Sequence, residues 1–200
     1  WALAIGLFLF GDTAIGIRFV PLLFATGTTV LLARLAKRFF GDAAAVWAVL
    51  LSSLNPLLLF MVASGFPDSP LVFFWALALT FVVNAIETGR GPWWLAAGAA
   101  MGGAMLSKYT AFFFGFFVLL YLLTSPRDRK WLATPWPYLA GAVAFLVFTP
   151  VLWWNSTHDW ISFRFQSVEK FQKAEEVSAA WGFKFMGGQW LTNLPLTEVE

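Results

Sequence analysis

The 200-residue sequence contains no cysteine and a single histidine, and only 12% of its residues are charged. Without cysteine there is no disulfide, no thiolate nucleophile and no Cys-ligated metal, and the chain carries no redox trace of its compartment. A lone histidine without a close acidic cluster argues against a metal site. No cofactor is called for, and although a divalent metal is compatible with the chemistry considered below, no residues here argue for one. The net charge of +2 is scattered, so the basic face of a nucleic-acid-binding domain and the charge-rich composition of a disordered region are both excluded, and no nucleic-acid partner is expected. No Walker loop, Rossmann glycine pattern, Ser-His-Asp set, zinc signature or fixed-period repeat is present.

What remains is apolar and aromatic. Hydrophobic residues make up 60% of the chain, with 23 Phe and 12 Trp, and the mean hydropathy is +0.72. Soluble domains hold closer to about 45–50% apolar and about 25% charged residues. A soluble enzyme is therefore excluded, and the chain reads as an integral membrane protein. It opens at Trp1 and ends at Glu200 with no helix stop or polar tail at either end, which is expected of an internal fragment.

A membrane-spanning helix needs about 20 mainly apolar residues. The gaps between charges supply candidates at 19–33, 43–67, 69–86, 91–107, 109–126 and 131–157, with a shorter stretch at 1–10. The expected fold is an all-α, polytopic transmembrane bundle of about six hydrophobic helices plus outer-face amphipathic helices. Residues 1–157 would form the membrane core and 158–200 an outer-face amphipathic segment, in which Ile161, Phe165 and Val168 recur at helical spacing and Gly187-Gly188 is a turn. The stretch 91–126, interrupted by Lys108, fits either a hairpin of two helices or one long kinked helix.

Charge asymmetry favours the hairpin. Counting 91–126 as two crossings puts Arg34, Lys37, Arg38, Arg90, Arg127, Arg129 and Lys130 on one side, which is then cytoplasmic. The opposite, outer face receives Gly11-Asp12, the segment Ser64 to Pro70, Lys108-Tyr109, and the run Trp153-Trp-Asn-Ser-Thr-His-Asp-Trp160.

Several polar residues on that face invite a functional reading beside a plainer one. Lys108, between two apolar stretches, either snorkels at a helix end or binds a phosphoryl oxygen with its compact, three-donor ammonium. Asp68, in Phe66-Pro-Asp-Ser-Pro70, either caps the next helix or serves as a rigidly held site carboxylate. Arg18 is an interface anchor, a partner of Asp12, or a phosphate ligand. Asn155 and His158 follow a Trp pair, and His158 has the near-neutral pKa of a general acid or base. Trp153, Trp154 and Trp160 read as an interfacial belt before a sugar platform. Gly98 and Gly102-Gly103 indicate close helix packing.

The residues by themselves lead to a polytopic membrane protein with a polar outer-face site. Intramembrane Lys and Asp would also suit a transporter or flippase for a lipid-linked or small polar substrate, although the expected internal pseudo-symmetry is not visible.

The order of these motifs, Gly11-Asp12 to Arg18, Pro67-Asp68, Leu106-Ser-Lys-Tyr109, Pro150-Val-Leu-Trp-Trp-Asn155, His158-Asp-Trp160 and Phe163-Arg-Phe-Gln166, resembles the bacterial family 39 glycosyltransferases. These are GT-C membrane enzymes related to protein O-mannosyltransferases and aminoarabinose transferases. The resemblance implies inverting transfer of a sugar from a polyprenyl-phosphate carrier to a lipid, glycan or protein acceptor at the periplasmic face of a bacterial inner membrane. It implies a catalytic role for Asp68 beside a primary acidic base in an earlier loop outside this sequence, so that the fragment alone would be inactive. It further implies substrate-binding roles for Lys108, Arg18, Tyr109, Asn155 and His158.

Overall fold

The computed structural model describes residues 2–64 and 68–165. Every regular element among them is helical. The chain divides into two compact units, Trp1–Thr149 and Pro150–Glu200.

In the first unit, α1 (Ala2–Phe10) forms a hairpin with α2 (Ala14–Phe40). Thr13 caps α2, its hydroxyl accepting from Gly16 N at 3.1 Å. Helix α2 has 27 residues, about 40 Å at 1.5 Å per residue, so it takes in Arg18 and the Arg34, Lys37 and Arg38 group at its ends. It is longer than the charge gap at 19–33 indicates, because long basic side chains can lie along an apolar helix and still reach water. Gly41, at φ +89°, closes α2 and opens α3 (Asp42–Ser53). A left-handed backbone suits glycine here because it has no Cβ to clash.

The expected single helix over 43–67 is broken. Asn55 accepts from Leu57 N at 2.9 Å and Leu58 N at 3.3 Å, and Pro56 opens α4 (Pro56–Ser64). An Asn cap followed by proline, which has no N–H to give, starts a helix instead of continuing one. The next described helix is α5 (Asp68–Thr88), with Asp68 in its first turn.

Helix α6 (Pro92–Ser107) returns antiparallel to α5, with Phe81 stacked on Trp93 at 5.6 Å and a Cβ at Gly103 lying 2.9 Å from the Phe74 ring. At Lys108 the backbone is extended (φ −159°, ψ 134°), followed by a 3₁₀ turn at Tyr109–Ala111 and α7 (Phe112–Thr124). Trp94 shares a core with Leu122, and Met101 approaches Gly115. These pairings run in opposite directions along the two helices, so 91–126 is a hairpin.

A second 3₁₀ segment, Arg129–Ala133, leads to α8 (Trp136–Ser156), which carries Pro150 internally. Gly98 and Gly102 on α6 let the backbone of α8 approach: a Cβ on Gly98 would collide with the Ala140 carbonyl, and one on Gly102 would lie 2.5 Å from Val147 Cβ. Small residues at such crossings gain dispersion contact where lipid offers no hydrophobic driving force. The core around Val82, Trp94, Ala97, Leu122, Trp131 and Ala140 lies where α5, α6, α7 and α8 meet.

Among the described residues three helices, Ala14–Phe40, Asp68–Thr88 and Trp136–Ser156, are long and apolar enough to cross a bilayer, and Asp42–Ser53 and Tyr109–Thr124 are shorter apolar segments. The protein is thus an integral membrane protein with multiple spanning helices, three of the described ones reaching that length.

In the second unit, α8 ends at Ser156, and a turn leads to α9 (Ile161–Arg164). The start of the expected amphipathic helix coincides with α9. Val168 and Gly187-Gly188 lie outside the described residues.

Candidate functional site

Helices α2 and α5 run parallel, as Phe24 against Phe73 and Arg38 against Asn84 and Glu87 require. With α5, α6 and α7 alternating in direction, the unit has two chemically different ends.

At one end lie the tail of α2, the turn between α5 and α6, and the segment after α7. Arg38 donates from Nε to Glu87 at 2.8 Å and from Nη1 to Asn84 at 2.5 Å, and its Nη2 also bonds Glu87. Lys37 pairs with Asp42 at 2.5 Å. Buried Asp128 accepts from Tyr121 Oη at 2.7 Å and Ser125 Oγ at 3.2 Å. Trp131 meets Trp94 edge-on at 5.6 Å. All seven basic residues grouped by the charge asymmetry therefore belong to this end.

At the other end, the start of α5 meets the end of α6. Lys108 Nζ donates to Asp68 Oδ1 at 2.6 Å, the side chains being 42% and 22% exposed. Asp68 stands at the head of its helix, and Lys108 occupies an extended residue between two helical segments, so both side chains leave their helices at the same level. An ammonium has three protons, so one bond to Asp68 leaves two for an anionic oxygen. Tyr109 follows on the 3₁₀ turn, its ring edge-on to Phe148 at 5.9 Å. Arg18, exposed near the start of α2, lies at this end of the bundle by the parallel packing of α2 on α5.

One polar residue at this end escaped the sequence reading. Ser69 is 4% exposed and its Oγ is buried with no hydrogen-bond partner among the described residues. Its only sequence signal is adjacency to Asp68 in the first turn of α5. An apolar recess of about 450 Å³, lined by Trp94, Met101, Phe114, Leu122 and Phe145 among others, contains none of the expected site residues. No group of three or more potential metal ligands occurs among the described residues.

Asn155 and His158 belong to the second unit. Asn155 is fully buried, while His158 is exposed and stacks on Trp154 with ring centroids 4.2 Å apart.

Comparison with known proteins adds a family. A family model described as dolichyl-phosphate-mannose-protein mannosyltransferase matches residues 1–154. A Bacillus subtilis (strain 168) protein named "Putative mannosyltransferase YycA" is 32% identical over 132 residues, covering 65% of this chain and 19% of that protein. The chain thus spans about a fifth of the length of that curated relative. No solved structure matches the chain.

Proposed function

This chain belongs to the dolichyl-phosphate-mannose-protein mannosyltransferase family, and from that premise we propose that it is part of a membrane glycosyltransferase moving a sugar from a polyprenyl-phosphate carrier to a lipid, glycan or protein acceptor. The reaction is a single displacement with inversion. The acceptor hydroxyl oxygen attacks the anomeric carbon, the bond from that carbon to the phosphate oxygen breaks, and the hydroxyl proton passes to a carboxylate. The carrier leaves as polyprenyl phosphate, its tail remaining in lipid.

The observation that carries this reading is the Lys108–Asp68 pair at the end opposite the basic cluster. Negative charge grows on the leaving phosphate as the bond breaks, and a cation already held in place stabilises it without reorganising. Lys108 is the group for that task, with Arg18 as a second cation and Tyr109 beside them. Asp68 holds the Lys108 ammonium in position and can share in receiving the acceptor's proton. The acidic base proper is expected in a preceding loop.

The positive-inside tendency puts the cluster of seven basic residues on the cytoplasmic side. On this orientation the chain makes about six crossings, with α3 and α4 forming one broken crossing, and the Asp68–Lys108 end faces the periplasm of a bacterial inner membrane. Residues 1–157 are the membrane core, and the segment from 158 lies on the outer surface.

The test is transfer of radiolabelled mannose from polyprenyl-phosphate-mannose by the full-length protein in proteoliposomes. Lys108→Ala and Asp68→Asn are expected to lower transfer at least about tenfold with normal membrane insertion, and Lys108→Arg to retain part of it. Full activity in both Lys108→Ala and Asp68→Asn overturns the site.

A further inference from the structure

Asn155 is a fully buried residue whose side-chain amide and backbone carbonyl make two hydrogen bonds each around a strained turn. Its Nδ2 donates to Val151 O at 2.9 Å, and its Oδ1 accepts from Ser162 N at 3.2 Å. Its backbone carbonyl accepts from His158 N at 3.1 Å and Trp160 N at 3.0 Å. Inside this brace, two consecutive residues, Asp159 (φ +52°) and Trp160 (φ +55°), adopt the left-handed conformation although neither is glycine. Side chains rarely accept that backbone, and it persists where the surroundings over-determine it, often at functional sites.

The brace has a consequence for the chain's single histidine. His158 lies flat on Trp154, with centroids 4.2 Å apart and planes 11° from parallel. Its Nδ1 is 2.8 Å from Trp154 O and 3.0 Å from Thr157 Oγ1. A carbonyl oxygen cannot donate, so the proton of that contact belongs to Nδ1. Thr157 sends its own hydroxyl proton to Trp154 O at 2.9 Å, which leaves its lone pair for the same Nδ1–H. In the neutral ring Nε2 then carries no proton, and the side chain is exposed. The hydrogen bond made by one ring nitrogen decides what the other can do.

We propose that Asn155 is a positioning residue that holds His158 as its Nδ1–H tautomer, so that the bare Nε2 accepts a hydrogen bond from a carbohydrate hydroxyl. The exposed indoles of Trp153 and Trp160 on the same segment offer apolar faces of the kind sugars stack against. The choice of a carbohydrate rests on the transferase reading, whereas the tautomer rests on the geometry alone.

Two measurements on the full-length protein separate these levels. Long-range proton–nitrogen correlation spectra of ¹⁵N-histidine-labelled protein, assigned by the signal missing in His158→Gln, are expected to show Nδ1–H with Nε2 bare. An Nε2–H tautomer overturns the proposal whatever the protein's activity. In binding and transfer assays, His158→Phe keeps the stack on Trp154 and removes the acceptor, and a loss of about tenfold is expected. A loss in affinity for polyprenyl-phosphate-mannose, with none for bare polyprenyl phosphate, identifies a hydroxyl of the donor sugar. Unchanged donor affinity with slower transfer identifies a hydroxyl of the acceptor. If neither changes, the proposal fails, while absence of transfer by the unaltered protein would instead overturn the transferase reading.

The part played by Asn155 is read from non-additivity. Asn155→Ala combined with His158→Phe is expected to lose no more transfer than His158→Phe alone, and Asn155→Asp, which keeps the Ser162 contact, to retain more activity than Asn155→Ala. Losses that multiply would reduce Asn155 to a structural role and overturn its assignment.

Discussion

Lys108 and Asp68 stand 40 positions apart in sequence, and their side chains meet at 2.6 Å because one closes α6 and the other opens α5. The two helices run antiparallel, so the short turn between them at one end of the bundle necessarily brings these two residues to the other. The pair is partly exposed, which sets how much it can do for the fold.

Exposed ion pairs contribute about 0–1 kcal/mol to stability. Replacing Lys108 by Met, which keeps length and removes charge, should therefore move the unfolding midpoint of the purified protein by no more than about 3 °C while abolishing most of the transfer. Differential scanning fluorimetry in detergent beside the transfer assay checks both. A large loss of stability would make the pair structural.

Two glycines should respond with opposite signs to the same change. A Cβ at Gly98 meets the Ala140 backbone, whereas among the described residues nothing lies within 4 Å of one at Gly141. Gly98→Ala should destabilise the protein by about 1–3 kcal/mol through overpacking. Gly141→Ala, inside α8, should be neutral or stabilise by up to about 1 kcal/mol, because alanine loses less backbone freedom in a helix. Thermal unfolding of the two variants decides it.

Buried Asp128 depends on its neighbours. Tyr121→Phe removes the 2.7 Å donor and leaves Ser125 Oγ as the side-chain donor to Asp128 among the described residues. A hydrogen bond to a charged group contributes about 1.5–3 kcal/mol, so a loss of that size is expected in chemical unfolding. A change below about 0.5 kcal/mol would mean that water replaces the phenol without cost.

The absence of cysteine in this sequence makes orientation measurable. Thr88 and Thr110 are exposed at opposite ends of α5, α6 and α7. In a full-length background without other cysteines, Thr110→Cys should react with a membrane-impermeant maleimide added to intact cells. Thr88→Cys should react only after permeabilisation. Equal labelling of both would exclude opposite-side exposure, and the reverse pattern would put the seven basic residues outside.

The membrane class and the grouping of basic residues were legible in the sequence because both depend on composition and on the order of charges along the chain. A bilayer excludes unpaired charge wherever the helices lie, so gaps between charges mark spans before any packing is known. Helix limits were less legible. Arg18 and Arg38 fall inside α2 because snorkelling separates where a charge sits from where its helix ends, and Asn55-Pro56 divides a continuous apolar run by cap chemistry that hydropathy does not register.

The site divides in the same way. The sequence by itself determined that Lys108, between two apolar stretches, calls for a partner and that Asp68 is either a helix cap or a site carboxylate. Only the tertiary structure decided that each partners the other, because a side-chain contact depends on the direction and register of two packed helices. Burial belongs to the tertiary structure as well. Ser69 carries no signal in sequence beyond its neighbour Asp68, and Asn155 is expected there as a substrate-binding residue; it is three-dimensional packing that removes both from water, leaving the Ser69 hydroxyl without a partner among the described residues and the Asn155 amide bracing a strained turn.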